Sequence, residues 1–297
     1  MGDISDILKN TGCNFEKNKD VTHLSSIRIP AVARTVAYPD SAESLVSVIE
    51  TLNKNAIPYK VVGGISNILI KNGFYEGVLI KTTKIRGKST AENSVTVSCG
   101  EYLSKIILSL AQNDLGGLEG LSGIPGTVGG MVRQNAGAYG CEIADPFIDA
   151  LCYFPSTREV KRTTRSDMDF SYRHSALMLN GGILLSATFE LVPRRRDDVL
   201  FLINEYRSKR LASQPCELPS LGSVFKRHLG VSAGYYIDKA GLKGYFLGGA
   251  RVSEKHAGFI VNAGGATADD FLRLVEYIKR TVYAAFQIEL TEEIEII

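Results

Sequence analysis

Between Gly117 and Gly140 the chain reads GLEGLSGIPGTVGGMVRQNAGAYG, with a glycine at every third position from Gly117 to Gly129. Lacking a Cβ, glycine lets main chain approach a neighbour closely. A run this dense is therefore either a flexible connector or a surface of exposed peptide groups. The residues between the glycines decide. Ile124, Pro125, Val128, Met131 and Val132 are apolar, which suits a packed, shaped wall better than a flexible linker. A large flat ligand and its pyrophosphate are what such a wall would touch through main chain.

Composition narrows the class. At 297 residues, with 44% hydrophobic and 22% charged, the chain has room for two domains or one large elaborated one and is not disordered. A formal net charge of +2 provides no dense basic face, so neither nucleic acid nor an acidic membrane is an expected partner. Cys13, Cys99, Cys141, Cys152 and Cys216 are widely spaced and form no CxxC pair, which reads as reduced, mostly buried thiols. The start, MGDISDILKNTGCNFEKNKD, has no basic stretch ahead of an apolar core, and no apolar run reaches bilayer length. A cytoplasmic enzyme is expected.

Periodicity places Leu45, Val48, Ile49 and Leu52 on one face of a helix in SAESLVSVIETLNKN, capped by Ser41. IPYKVVGG reads as a buried strand, GVLIKT and SVTVSCG as further strands, and EYLSKIILSLAQND as a helix leading into the glycine-dense stretch. FIDALCYFPSTREVKRTT suggests a hairpin around Pro155, and GILLSATFELV another strand. PRRRDDVLFLINEYRSKRLAS is expected to be a helix opening a second domain, with Arg195, Arg196, Arg207 and Arg210 on its solvated face and Leu200, Ile203 and Tyr206 inward. GARVSEKHAGFIVNAGG reads as paired strands, Thr267 with Asp270 as a capping box for the following helix, and IELTEEIEII as a closing strand. Strands and helices mix without a βαβα repeat, which favours α+β over a doubly wound sheet.

A second glycine motif, VVGGISN from Val61 to Asn67, follows an expected strand. Its small residues could present backbone N–H groups to a phosphate, but a tight turn between two strands uses the same residues and is, on this stretch alone, the better reading. It is not the dinucleotide GxGxxG fingerprint, because no helix pattern opens after it, and it is not a P-loop, because no Gly-Lys-Ser/Thr follows.

The stretch from Gly117 to Gly140, together with FSYRHS, LPSLGSVFKR and AGLKGYFLGGARVSEKHAGFIVNAGGATADDF, closely resembles the bacterial UDP-N-acetylenolpyruvoylglucosamine reductase (UDP-N-acetylmuramate dehydrogenase) family. The resemblance covers nearly the whole chain in family order. The absence of an insertion after FSYRHS is similar to the shorter, second type of the family. The resemblance implies an α+β fold: a vanillyl-alcohol-oxidase/PCMH-type FAD-binding module of two subdomains, residues 1–84 and 85–193, and an α+β substrate-binding domain, residues 194–297. It also implies that NADPH reduces FAD, and that hydride then passes to the enolpyruvyl ether of UDP-N-acetylenolpyruvoylglucosamine, giving UDP-N-acetylmuramate for peptidoglycan synthesis. The family prior is a monomer.

Carried over motif by motif, the resemblance places FAD contacts on Gly63, Gly64, Ile65, Ser66 and Asn67. Further contacts fall on Ser122, Gly123, Ile124, Pro125, Thr127, Val128, Gly129 and Gly130, and on Asn135, Gly137, Ala138 and Tyr139. It assigns catalysis to Arg173, Ser223 and Glu293, and substrate contacts to Tyr172, Lys226 and Arg227, the last suited to a diphosphate. The chemistry agrees with these residue types. Hydride addition to the terminal carbon of an enolpyruvyl group leaves negative charge spread onto the carboxylate, which a guanidinium can clamp, and the other carbon then needs a proton. Ser223 is the candidate proton donor, and motif register alone separates Glu293 from Glu292 and Glu295. His256 reads as structural, and His23, His174 and His228 show no metal-ligand spacing, so no metal is expected.

The family's first flavin loop usually reads Gly-any-Gly-Ser-Asn, whereas Ile65 stands at the second glycine here. A β-branched residue resists positive φ, at about 1–3 kcal/mol if the usual shape is kept. FAD affinity is then expected to fall about tenfold or more, unless Gly64 absorbs the turn by a one-residue shift. The corresponding alternative is a non-catalytic paralogue that binds a UDP-sugar with weakened or lost FAD binding. Pro30-Ala31 in place of a Gly-Gly pair and His228 in place of a proline are further departures.

Overall fold

A computed structural model describes residues 4–297. Two larger sheets occupy the first two thirds of the chain. One has the strand order Asn14–Asp20, Val32–Tyr38, Phe74–Lys81, Tyr59–Val62, the last two parallel. The other is antiparallel, in the order Glu159–Thr164, Phe147–Phe154, Ile183–Glu190, Ser94–Ser98, Lys88–Ala91. A third sheet, Ser220–Ser223, Phe259–Asn262, Ala250–Val252, Phe246–Leu247, is antiparallel throughout.

The chain divides into two compact units interleaved along the sequence. The first runs up to Lys17 and includes Thr35–Gly64 and Gly77–Ser208; the second comprises Asn18–Arg34, Ile65–Glu76 and Lys209–Ile297. Each has its own core. In the first, Leu45, Val48, Ile49 and Leu52 are buried on one face of the helix Ala42–Lys54, whose cap Ser41 accepts from the Ser44 N–H at 3.1 Å. That core also holds Val95, Val97, Phe147 and Phe189 from the antiparallel sheet. In the second unit, Phe271, Leu274, Ile278 and Val282 of the helix Ala268–Phe286 are buried with Leu221, Val224 and Ile260. Thr267 and Asp270 form a reciprocal capping box at its start, satisfying donors the first turn leaves open.

Some expected elements differ. Within Tyr59–Val62 only Val62 is buried. On the helix Arg196–Ser213 the buried residue is Val199; Leu200, Ile203 and Tyr206 are half-buried and Phe201 is exposed. Its apolar residues do not gather into one stripe, so no continuous face is available to bury. The closing segment is not one strand: Glu292 bridges Phe225, a bend follows at Ile294, and only Glu295–Ile296 pairs, in parallel with Ile68–Leu69. Cys13, Cys99 and Cys152 are buried, Cys141 is half-buried and Cys216 exposed, all without disulfides. Burial raises the thiol pKa of Cys99 to about 12 and that of Cys152 to about 11, which makes both poor nucleophiles.

Replacing Thr267→Ala is expected to weaken the start of the last helix by about 1 kcal/mol. Amide exchange across 268–273 should then rise about fivefold while the strand Phe147–Phe154 is unaffected.

Candidate active site

In the first unit the glycine-dense stretch is a packed wall. Leu118, Leu121, Val128, Met131 and Val132 are buried, and Ser122, Gly123 and Ile124 are half-buried. Pro125, Gly130 and Tyr139 reach the surface, where Tyr139 stacks on Tyr206 with ring centroids 5.3 Å apart. Glu119 lies buried, accepting from the Gly117 N–H at 3.0 Å and pairing with Arg194 at 3.1 Å. The short helix Val128–Arg133 is held by its first amides: Val128 N–H donates to Glu101 O at 2.8 Å and Gly129 N–H to Cys99 O at 2.9 Å.

The far end of this stretch carries Arg173. Tyr172 and Arg173 form the tip of a tight hairpin in which Ser171 and His174 exchange main-chain hydrogen bonds. Asn135, fully buried at φ 42°, donates through Nδ2 to Ser171 O and to Glu142 Oε2, both at 2.9 Å, and accepts from Ala144 N–H at 3.1 Å. Ser175 Oγ donates to Arg133 O at 2.7 Å, and Arg173 Nη2 to Gly137 O at 3.1 Å. The guanidinium also lies 5.1 Å from the centre of the Tyr172 ring. These contacts hold Arg173 half-buried at the end of the wall, so Gly137 and Asn135 shape the site whatever else they touch.

The first flavin loop begins in this unit. Lys81 Nζ, buried, donates to Gly63 O at 3.1 Å, and burial followed by the Arg86 charge lowers its pKa. A Cβ at Gly63 would collide with Thr127 Oγ1 and lie 3.1 Å from Thr127 Cβ, so only glycine fits. Thr127 Oγ1 is buried with no hydrogen-bond partner among the described residues. An orphaned hydroxyl beside side-chain-free backbone fits a dinucleotide's phosphates, because an unmet buried polar group is unfavourable until something accepts from it. FAD suits this arrangement.

Within the second unit Ile65 has φ 50°, and Gly64 does not take up a left-handed turn in its place. The positive φ is taken by Ile65 itself, and the alternative, a one-residue shift of the turn onto Gly64, does not occur. Ile65 is only 4% exposed and lines a small apolar cavity with Val21, Ile27, Ile29, Ile68 and Leu69. Its side chain is enclosed by apolar residues of this unit. Burying an isoleucine contributes about 1.5–3 kcal/mol, which offsets the φ strain of about 1–3 kcal/mol. Ile65 O accepts from Ser26 N–H at 3.2 Å and Ser25 Oγ at 3.3 Å.

Ser223 and Glu293 meet in the same unit on either side of Val224. Glu293 N–H donates to Val224 O at 2.8 Å, and Val224 N–H to Gly258 O at 2.9 Å. Ser223 Oγ donates to Phe225 O at 3.3 Å. The neighbouring Glu292 pairs with Lys279 at 2.8 Å, which commits it to the fold. Lys226 N–H donates to Thr291 O at 2.8 Å, Lys226 is half-buried and Arg227 exposed. A Cβ at Gly258 would lie 3.0 Å from His256 Cε1 and 3.3 Å from Ser223 Oγ, so the imidazole and the hydroxyl flank one glycine. His256 accepts the Gly258 N–H on Nδ1 at 3.1 Å, and burial, aided by the Lys243 charge, depresses its pKa.

No motif marks Lys81 or Ser26, and Gly258 lies inside a quoted motif without being singled out in it. The signal for Lys81 is a lysine closing an apolar strand; Ser26 offers none, because its partners are distant in sequence. Among the described residues, no three His, Cys, Asp or Glu gather as metal ligands, and no helix is long and apolar enough to cross a membrane.

Residues 214–297 match the family described as UDP-N-acetylenolpyruvoylglucosamine reductase, C-terminal domain, and residues 33–155 match an FAD binding domain. The chain is 40% identical to the UDP-N-acetylenolpyruvoylglucosamine reductase of Caldicellulosiruptor saccharolyticus, over 98% of this chain and 94% of that one. It is 37% identical to the same-named protein of Lactobacillus helveticus, over 98% and 97%. The crystal structure of UDP-N-acetylenolpyruvylglucosamine reductase from Thermus caldophilus superposes with a TM-score of 0.79 at 28% identity, covering 96% of this chain and 98% of that one. A berberine bridge enzyme variant shares the fold over 65% of this chain and 44% of its own, with a TM-score of 0.50 at 18% identity. The fold is accordingly α+β with an FAD-binding module of the PCMH type.

At Ile65 an alanine loses the apolar burial and keeps the strain, whereas a glycine loses the burial and relieves the strain. Urea unfolding should therefore rank wild type above Ile65→Gly, and Ile65→Gly above Ile65→Ala by about 1 kcal/mol, the reverse of the order at an ordinary φ.

The depressed pKa of His256 means the unfolded chain takes up its proton first as pH falls. Its contribution to stability is complete above about pH 6.5 and is lost as pH falls from there through the folded value. Unfolding measured between about pH 7.5 and about pH 5.5 should show that loss, and a shallower one in His256→Gln, whose side-chain carbonyl can still accept from Gly258.

Proposed function

Because the chain belongs to the UDP-N-acetylenolpyruvoylglucosamine reductase family, we propose that it reduces the enolpyruvyl ether of UDP-N-acetylenolpyruvoylglucosamine to UDP-N-acetylmuramate. The reaction uses NADPH and FAD, in the cytoplasm, as a step of peptidoglycan synthesis by a monomer. The observation that carries this reading is the seating of Arg173, fixed through Gly137 O and the Tyr172 ring at the end of the glycine wall.

Gly63, Gly64 and Thr127 would hold the dinucleotide of FAD, with Ser122–Pro125, Val128–Gly130 and Gly137–Tyr139 continuing the wall. Bound FAD supplies the hydride carrier between NADPH and substrate. The residues of the chain do the rest. Arg173 holds the substrate carboxylate, and its fixed charge meets the negative charge that grows there when hydride adds to the terminal carbon. Arg227 and Lys226 suit the diphosphate, and Tyr172 the sugar-nucleotide face. Ser223 gives its proton to the other carbon of the enolpyruvyl group. A serine hydroxyl is a weak acid, so the transfer follows the rise of carbanion character at that carbon. Glu293 supports proton delivery, while Glu292 remains tied to Lys279.

The non-catalytic alternative draws its motive from Ile65, and the burial of that side chain among apolar residues supports the catalytic reading over it. After FAD reconstitution, NADPH oxidation should depend on UDP-N-acetylenolpyruvoylglucosamine; oxidation that ignores this substrate would overturn the reading. Arg173→Lys, which cannot grip a carboxylate in bidentate fashion, should lower kcat by about 100-fold. Glu293→Gln should also lose activity, whereas Glu292→Gln should keep kcat and lose up to about 1 kcal/mol of stability.

A further inference from the structure

We infer that the second half of the flavin loop is also the strut that places the two proton-handling residues, with Asn67 and Ser26 as the positioning residues; this rests on the function proposed above. Asn67 is joined to the C-terminal segment twice. Its Nδ2 donates to Glu293 O at 3.0 Å, and its own carbonyl accepts from Glu295 N–H at 2.9 Å. Glu293 N–H in turn reaches Val224 O at 2.8 Å, so the peptide units on both sides of the Glu293 Cα are fixed, one by the loop and one by the residue after Ser223.

Ser26 makes the other connection. Its N–H donates to Ile65 O at 3.2 Å, and its hydroxyl lies 2.7 Å from Ser220 O and 3.4 Å from Ser66 O. One hydroxyl has one proton, and the shorter distance gives it to Ser220, the first residue of the strand that ends at Ser223. The loop therefore holds Glu293 through Asn67 and the Ser223 strand through Ser26. The left-handed turn at Ile65 is the conformation from which its carbonyl reaches Ser26. A change of loop shape would move both residues together.

The test uses the full chain with Asn67→Asp, which keeps the size and deletes the donor, and Ser26→Ala, which removes the hydroxyl. Amide exchange is measured without flavin over 220–226 and 291–296, with Phe147–Phe154 of the first unit as the folding control. Flavin fluorescence gives the FAD Kd, and turnover at saturating FAD gives kcat and KM. The expected result is tenfold or faster exchange over 291–296 in Asn67→Asp and over 220–226 in Ser26→Ala, with the control strand unchanged. kcat should fall tenfold or more in both, with substrate KM within threefold, and Ser26→Ala should keep its FAD Kd within threefold. Unchanged exchange, or a weakened FAD Kd with wild-type kcat at saturation, would overturn the inference and leave the loop as a cofactor cradle only. If the unaltered protein fails to turn over the substrate, the functional reading fails, and the exchange pattern alone still decides the inference.

Discussion

Asn135 donates from its buried amide to Ser171 O and accepts from Ala144 N–H, and the Arg173 hairpin depends on that tie. A side-chain amide satisfies donor and acceptor groups at once. In a buried setting its removal leaves the Ala144 N–H without its partner, at about 1–3 kcal/mol, and takes from Ser171 O the bond that ties the hairpin to the wall. Asn67 repeats the device in the second unit, holding Glu293 O while its own carbonyl accepts from Glu295. Each asparagine anchors a main-chain carbonyl, Ser171 O two residues before Arg173 and Glu293 O. In each unit, a side-chain amide ties a loop to the segment that carries a candidate residue.

The strained turn at Ile65 fits this economy. A left-handed β-branched residue persists only where its surroundings over-determine it, and here two serines grip its carbonyl while apolar residues enclose its side chain. In the first unit the opposite solution appears: Gly63 has no room for any side chain against Thr127. One five-residue loop thus uses a missing side chain at one end and a buried side chain in its middle.

Much of this was legible in the sequence. The capped helix Ala42–Lys54 and the capping box at Thr267 followed from periodicity and cap chemistry, because both signals are local. The glycine wall was legible from the apolar residues between its glycines. Less legible were features set by distant partners. Glu292 and Glu293 look alike as a pair of strand carboxylates, and distant partners distinguish them: Lys279 and Phe225 for Glu292, Asn67 and Val224 for the main chain of Glu293. The closing segment has strand composition, yet it breaks at Ile294 because Phe225, Asn67 and Leu69 each claim a different part of it. The direction of the Ile65 side chain could not be read from its motif, since the motif records which residue stands there and not which cavity receives it.

The protein builds the glycine wall itself, before any cofactor arrives. Amide exchange of flavin-stripped protein across Gly117–Gly140 tests this most directly. The amides of Val128, Gly129, Met131 and Ala136, all hydrogen-bonded within the protein, should exchange as slowly as those of the strand Phe147–Phe154, with little change on adding FAD. Rapid exchange at these amides that slows only when FAD is added would mean that the cofactor, and not the chain, builds the wall.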